Sequence, residues 1–155
     1  MRLTLVTIGR PKNKAVQSLL TEYATRLKRY TRWEHIIVPD GQKGDRDAIR
    51  RAQSDALTNA VPRGAKVIVL DERGNNWTSS ALAKAIEKDQ LHGDSHWALI
   101  IGGAEGHDER LRERADIVWS LSPLTLPHEL ATVVVVEQLY RAMTILRGEP
   151  YHRED

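Results

Sequence analysis

The strongest constraint on this chain is a helix with no evident polar face, fed by a loop that cannot adopt regular structure. Within Trp119–Glu129, residues Ser120, Ser122, Pro123, Thr125 and Pro127 destroy any periodicity. Leu121–Leu126 is therefore a loop with several backbone groups that neither a helix nor a strand will pair. From Leu130 to Arg147, apolar residues then fall on almost every side: Leu130, Ala131, the run Val133–Val136, Leu139, Ala142, Met143, Ile145 and Leu146. Consecutive valines suit a strand, but the length and the ending argue for a helix. Arg147 supplies a basic last turn, Gly148 a C′ glycine and Pro150 a following stop. A helix that is apolar all round must be covered all round. In so short a chain one side can lie on the domain's own sheet, and the other is expected to lie on a second subunit. The expectation is a homodimer with the loop beside its interface.

The 155 residues suit one domain with one core, spanning 1–155. With 41% apolar and 28% charged residues the composition is that of an ordinary globular chain, and no stretch approaches the ~20 apolar residues needed to span a bilayer. Met1–Arg10 lacks a secretory h-region and cleavage site and reads as a strand. The absence of cysteine excludes disulfides and thiolate chemistry and argues against zinc. These features fit a cytoplasmic enzyme with neither a metal nor a membrane partner. The net charge of +2 conceals an asymmetry: residues 1–32 hold eight basic side chains against Glu22 alone. A solvated face and a phosphate-facing surface both explain it.

Strand and helix patterns alternate along the chain. Arg2–Gly9 reads as a first strand, and Asn13–Tyr30 as an amphipathic helix with Val16, Leu19, Leu20, Tyr23, Leu27 and Tyr30 at helical spacing. Trp33–Val38 is a second strand, stopped by the Pro39–Gly44 loop, after which Asp45 can cap a helix to about Ala60. Lys66–Asp71 and His96–Ile101 are near-continuous apolar runs, the mark of strands buried on both faces. Glu72–Trp77 is expected to be a turn, and Thr78 or Ser79 caps a helix to about Gln90. Asp108–Arg114 is a short polar helix and Asp116–Ser120 a short fifth strand. The order predicts an α/β domain, a mostly parallel sheet flanked by helices, with ligands beyond the carboxyl ends of its strands.

Three segments leave such strand ends: Leu70–Gly74, Gly102–Gly106 and Leu121–Leu126. Each offers small residues or free main chain, so together they could bind an adenosine-like ligand through amides and carbonyls. No GxGxxG follows the first strand, and GxxxxGK[ST], GxSxG and HExxH are all missing. Dinucleotide, P-loop, nucleophile-elbow and zinc-hydrolase chemistries therefore lack their residues. The residues alone indicate an α/β domain for a nucleoside-like ligand.

The blocks Leu70–Gly74, Ile101–Gly106, Leu121–His128, Glu137–Ala142 and Pro150–Arg153, in this order and spacing, carry a more specific signal. On them the chain resembles the bacterial large-subunit ribosomal RNA pseudouridine-N3 methyltransferases, enzymes of the SPOUT class, from Met1 to Arg153. The resemblance implies a homodimer that uses S-adenosylmethionine, with a C-terminal trefoil knot over roughly 66–148. Periodicity cannot reveal a knot, and general connection rules disfavour one. It also implies cofactor contacts at Leu70, Gly102, Leu121, Ser122, Pro123, Leu124, Thr125 and Leu126. Two departures are Ala104, where relatives often have proline, and Pro123, whose nitrogen cannot donate.

Adenosylmethionine is an activated methyl donor, so such a protein has to place the reactants and remove a proton. Arg153 and His152 are candidates to stabilise charge on the base, with Tyr151 as a stacking platform. Arg141 follows Glu137 by one helical turn, and the pair serves either to orient the helix or to act in catalysis. Candidate proton acceptors are His152, Glu105 and Asp71, with water as a further possibility, whereas His128 reads as structural. Rival readings are a SPOUT enzyme acting on another RNA base and a non-catalytic RNA-binding ribosome-assembly factor.

Overall fold

A computed structural model describes residues 1–153. Five strands, β1 (Arg2–Ile8), β2 (Arg32–Val38), β3 (Lys66–Asn76), β4 (His96–Ile100) and β5 (Ile117–Ser120), form one sheet in the order β2-β1-β4-β3-β5. Every pairing in it is parallel. The intervening helices are α1 (Lys14–Leu27), α2 (Arg46–Ala60), α3 (Ser79–His92), α4 (Glu109–Arg114) and α5 (His128–Leu146). Side chains set the starts of the first four. Asn13, Asp45, Thr78 and Asp108 each accept hydrogen bonds from amides of the first turn, relieving the donors a helix start leaves unpaired.

Strand alternation divides the core into two layers. Leu3, Leu5, Ile68, Trp97 and Leu99 face α1, α3 and α5, while Val6, Ile8, Val69 and Ile100 face α2 and α4. Burying each such Leu or Ile contributes about 1.5–3 kcal/mol. Asp89 sits among these apolar groups because it accepts from Trp97 Nε1 at 2.7 Å and pairs with Lys66 Nζ at 2.8 Å.

Helix α5 begins at His128, two residues earlier than its apolar pattern suggests, and Gly148 after it takes the expected left-handed conformation at φ +67°. It lies on the sheet between α1 and α3, burying Val135, Val136, Leu139, Ala142 and Met143. The chain's own helices thus cover more of α5 than the apolar count implies. Leu130 nevertheless remains 45% exposed at its start.

One expectation is overturned. Glu72–Trp77 is not a turn, since β3 runs on to Asn76. Its register on β5 jumps between Leu70 and Asn75, so the polar extension is held by backbone pairing and by the Asn76 amide donating to Ser120 O at 3.2 Å. Polar side chains hide a strand whose evidence lies in its ladder.

Two half-buried histidines give the fold a pH signature. His35 pairs with Thr7 Oγ1 at 2.8 Å and His96 with Thr4 Oγ1 at 2.9 Å. Burial lowers the pKa of His35; burial and then the charge of Arg2 lower that of His96. The folded state therefore binds fewer protons than the unfolded chain just below the ordinary histidine value. Stability is full above that value and falls as pH drops through it toward the depressed folded values. Denaturant unfolding at pH 7.5 and 5.5 should show the loss, and a His35→Gln variant should show less of it.

Candidate functional site

The position of the site follows from where the chain goes after each strand. Beyond β3 and β5 it turns to the face carrying α3 and α5; beyond β4 it turns to the opposite face, to α4. Neighbouring strand ends that send their connections to opposite faces open a crevice between them. Here the crevice has a volume of about 940 Å³.

All three segments singled out from the sequence meet in it. Leu70, Gly102, Leu121, Ser122, Leu124, Thr125 and Leu126 line the cleft, as do Asp71 and Glu105; the exposed Pro123 does not. The loop after β4 is built by glycine. Gly106 donates to Gly103 O at 2.9 Å with φ +74°, a conformation side chains resist. A Cβ on Gly102 would stand 3.0 Å from the Gly106 carbonyl carbon. Asn76 and Ser120 brace the start of the loop after β5, where Ser120 Oγ donates to Ser122 O at 3.0 Å. Leu124 N donates to Ser122 Oγ, also at 3.0 Å, and Thr125 Oγ1 donates to Glu72 Oε2 at 2.9 Å. Main chain that no ladder could satisfy is thus fixed by short side chains.

Charge is concentrated on the cleft walls. Asp71 accepts from Arg73 N at 2.8 Å and lies 3.6 Å from Arg112 Nη1 and 3.4 Å from His107 Nε2. Glu105 pairs with Arg46 Nε at 2.8 Å, and its carbonyl accepts from Arg50 Nε at 3.0 Å, so α2 grips the glycine loop. Both of these candidate proton acceptors are therefore held by arginines. His107, Arg112 and Arg50 escaped the sequence reading. His107 reaches Leu70 O, 37 residues away, at 3.1 Å, and no local pattern signals that contact.

The remaining candidates lie elsewhere. Arg141, Tyr151, His152 and Arg153 do not line the cleft. Arg141 binds Glu137 Oε1 through Nη2 at 2.7 Å and donates from Nη1 to His152 Nδ1 at 3.2 Å. Its guanidinium lies 4.7 Å from the centre of the Tyr151 ring, which meets Tyr140 edge-on at 4.6 Å. Tyr151 donates to Glu137 Oε1 at 2.9 Å. Burial first, then hydrogen bonds with Tyr23 and Glu137, raise the Tyr151 pKa well above the ordinary phenol range, so the phenol stays protonated and donating. The tail is thus docked on α5, two to three helical turns along from the cleft-lining Ala131. Arg153 is exposed.

Fold and cleft together define an α/β domain with a cleft at the tips of a parallel sheet, the place where such folds bind small ligands. More particularly, the chain belongs to the family described as "Predicted SPOUT methyltransferase", whose model matches residues 1–152. It is 44% identical over 154 residues to "Ribosomal RNA large subunit methyltransferase H" of Anaeromyxobacter sp. (strain Fw109-5), covering 99% of this chain and 100% of that one. The protein of the same name from Gloeobacter violaceus is 43% identical over 98% of this chain and 99% of its own length. Among solved structures, a probable methyltransferase from Bordetella pertussis Tohama I superposes with TM-score 0.56 at 14% identity, over 92% of this chain and 96% of the other. A putative methyltransferase of Legionella pneumophila, in complex with bound SAM, superposes at 0.51 and 14% identity, over 92% of this chain and 66% of that one.

No described helix is long and apolar enough to cross a membrane. Among the described residues there is no group of three or more His, Cys, Asp or Glu that could hold a metal ion.

Proposed function

We propose that this chain is an S-adenosylmethionine-dependent methyltransferase of large-subunit ribosomal RNA, acting on N3 of a pseudouridine as a cytoplasmic homodimer on assembled ribosomes. One observation carries the reading: three segments far apart in sequence converge on a single cleft. The two relatives above are each named a ribosomal RNA large subunit methyltransferase and match over 100% and 99% of their own length, which supports the substrate class.

The donor set fits adenosylmethionine. Leu70, Ile101, Trp119 and Leu121 give an apolar floor for a purine, and the free main chain of the glycine and 121–126 loops gives hydrogen bonds. Asp71 and Glu72 on one wall, with Arg50, Arg73 and Arg112 nearby, suit a ligand carrying both charge signs. The cofactor supplies an activated methyl group. The protein's part is to hold it, exclude water and bring the acceptor nitrogen into line. Glu105, on the glycine loop, is placed to receive a proton from the base, with its carboxylate oriented by Arg46.

The tail supports a shared site. Tyr151, His152, Arg153 and Arg141 lie outside the lining of the cleft of their own chain, which supports a site completed by the tail of a second copy. Leu124, 72% exposed, and Leu130 offer apolar surface beside the cleft for that copy to cover. Family membership also favours the knotted arrangement over roughly 66–148.

The test combines calorimetry with methyl transfer from labelled adenosylmethionine to whole ribosomes, separated subunits and naked RNA, followed by mass mapping of the modified base. Binding of the cofactor and a methyl on pseudouridine N3 of whole ribosomes is the expected result. A methyl on another base would discard the substrate and keep the reaction; absence of cofactor binding would discard the reaction.

A further inference from the structure

We propose that His107 is a positioning residue of the cleft, using its Nε2–H to fix the Leu70 carbonyl; this rests on the adenosylmethionine reading above. His107 lines the cleft yet its side chain is only 4% exposed. Nε2 faces two acceptors, Leu70 O at 3.1 Å and Asp71 Oδ2 at 3.4 Å. Nδ1 is buried and has no hydrogen-bond partner. A proton on Nε2 is shared with oxygen, whereas one on Nδ1 would be buried without an acceptor. The surroundings therefore select one tautomer, with Nδ1 bare.

The same ring touches the neighbouring strand end. Its Cδ2 lies 3.2 Å from where a Cβ on Gly102 would stand, so His107 fills the space that glycine leaves. One side chain thus spans the tips of β3 and β4, at two of the positions that contact the cofactor in the proposed function. A carbonyl oxygen has two acceptor sites. With the imidazole on one, the Leu70 oxygen is held still and its other site is left for a donor in the cleft. Without His107, Leu70 O loses this partner and β3 and β4 lose their common wedge.

The experiment compares wild type, His107→Leu and His107→Gln by calorimetry with adenosylmethionine and by thermal melting. Leucine fills similar space without a donor; glutamine keeps a donor at nearly the same reach. Leucine should weaken binding about fivefold, the worth of one net hydrogen bond, and glutamine should restore most of it. Equal affinity in all three overturns the role of His107, as does equal weakening in both variants. A wild type that does not bind adenosylmethionine overturns the reading of the cleft instead. Should the leucine variant not fold, long-range proton–nitrogen correlations on the wild-type imidazole decide: the proton belongs on Nε2, and finding it on Nδ1 overturns the proposal.

Discussion

Replacing Gly74 by alanine should be among the most damaging small changes in the chain, lowering stability by about 3 kcal/mol and the melting temperature by roughly 6–12 °C. The glycine lies in the polar extension of β3, where its Cα passes against the backbone of β5. A Cβ there would stand 2.4 Å from Val118 O and 2.5 Å from Val118 C. Backbone cannot step aside as the end of a flexible side chain can, so the strands must separate. That strain would reach the cleft, because the cleft-lining Trp119 follows Val118 directly and Leu121 comes two residues later. Gly41→Ala is the control, since a Cβ there meets nothing within 4 Å, and its cost should stay within about 0.5 kcal/mol. Equal melting temperatures for the two variants would refute the close approach.

The second large effect is expected from mixing inactive subunits. Thr125→Trp places an indole at the exposed rim of the cleft and should abolish cofactor binding in its own chain. A double variant, His152→Ala with Arg153→Ala, removes the tail's polar groups and leaves the cleft intact. Each protein alone should lose activity by about 100-fold or more, as expected when transition-state contacts are removed. If tails act across a two-fold axis, a re-equilibrated equal mixture contains one intact site in each mixed pair. Activity should then recover to about a quarter of wild type. If each tail serves its own cleft, no mixed pair contains an intact site and nothing recovers. Methyl transfer by the mixture, measured against each variant alone, separates the two cases.

Much of this was legible because apolar period and turn chemistry agree along most of the chain. The apolar runs Lys66–Asp71 and His96–Ile101 read as buried strands, and Asp45 and Thr78 or Ser79 read as helix caps; the structure has β3 and β4 on those runs and Asp45 and Thr78 as the caps. The 71–76 extension was not legible, because a polar strand held by one neighbour's backbone has no side-chain pattern to announce it. The cleft was legible as three strand-end segments with unpaired main chain. Its charged walls were not, because the contacts of His107 with Leu70 and of Arg46 with Glu105 exist only after the sheet has formed. Nor does sequence distance say that Tyr151 folds back onto Glu137 and away from the cleft.

That folded-back tail has a thermodynamic consequence. With its ring fixed between Tyr140 and Arg141 and its hydroxyl on Glu137, Tyr151 has lost its rotational freedom before any second chain arrives. The ordering cost falls within the folding of the single chain, so two copies could meet as rigid bodies, without the affinity penalty of freezing a floppy end on contact.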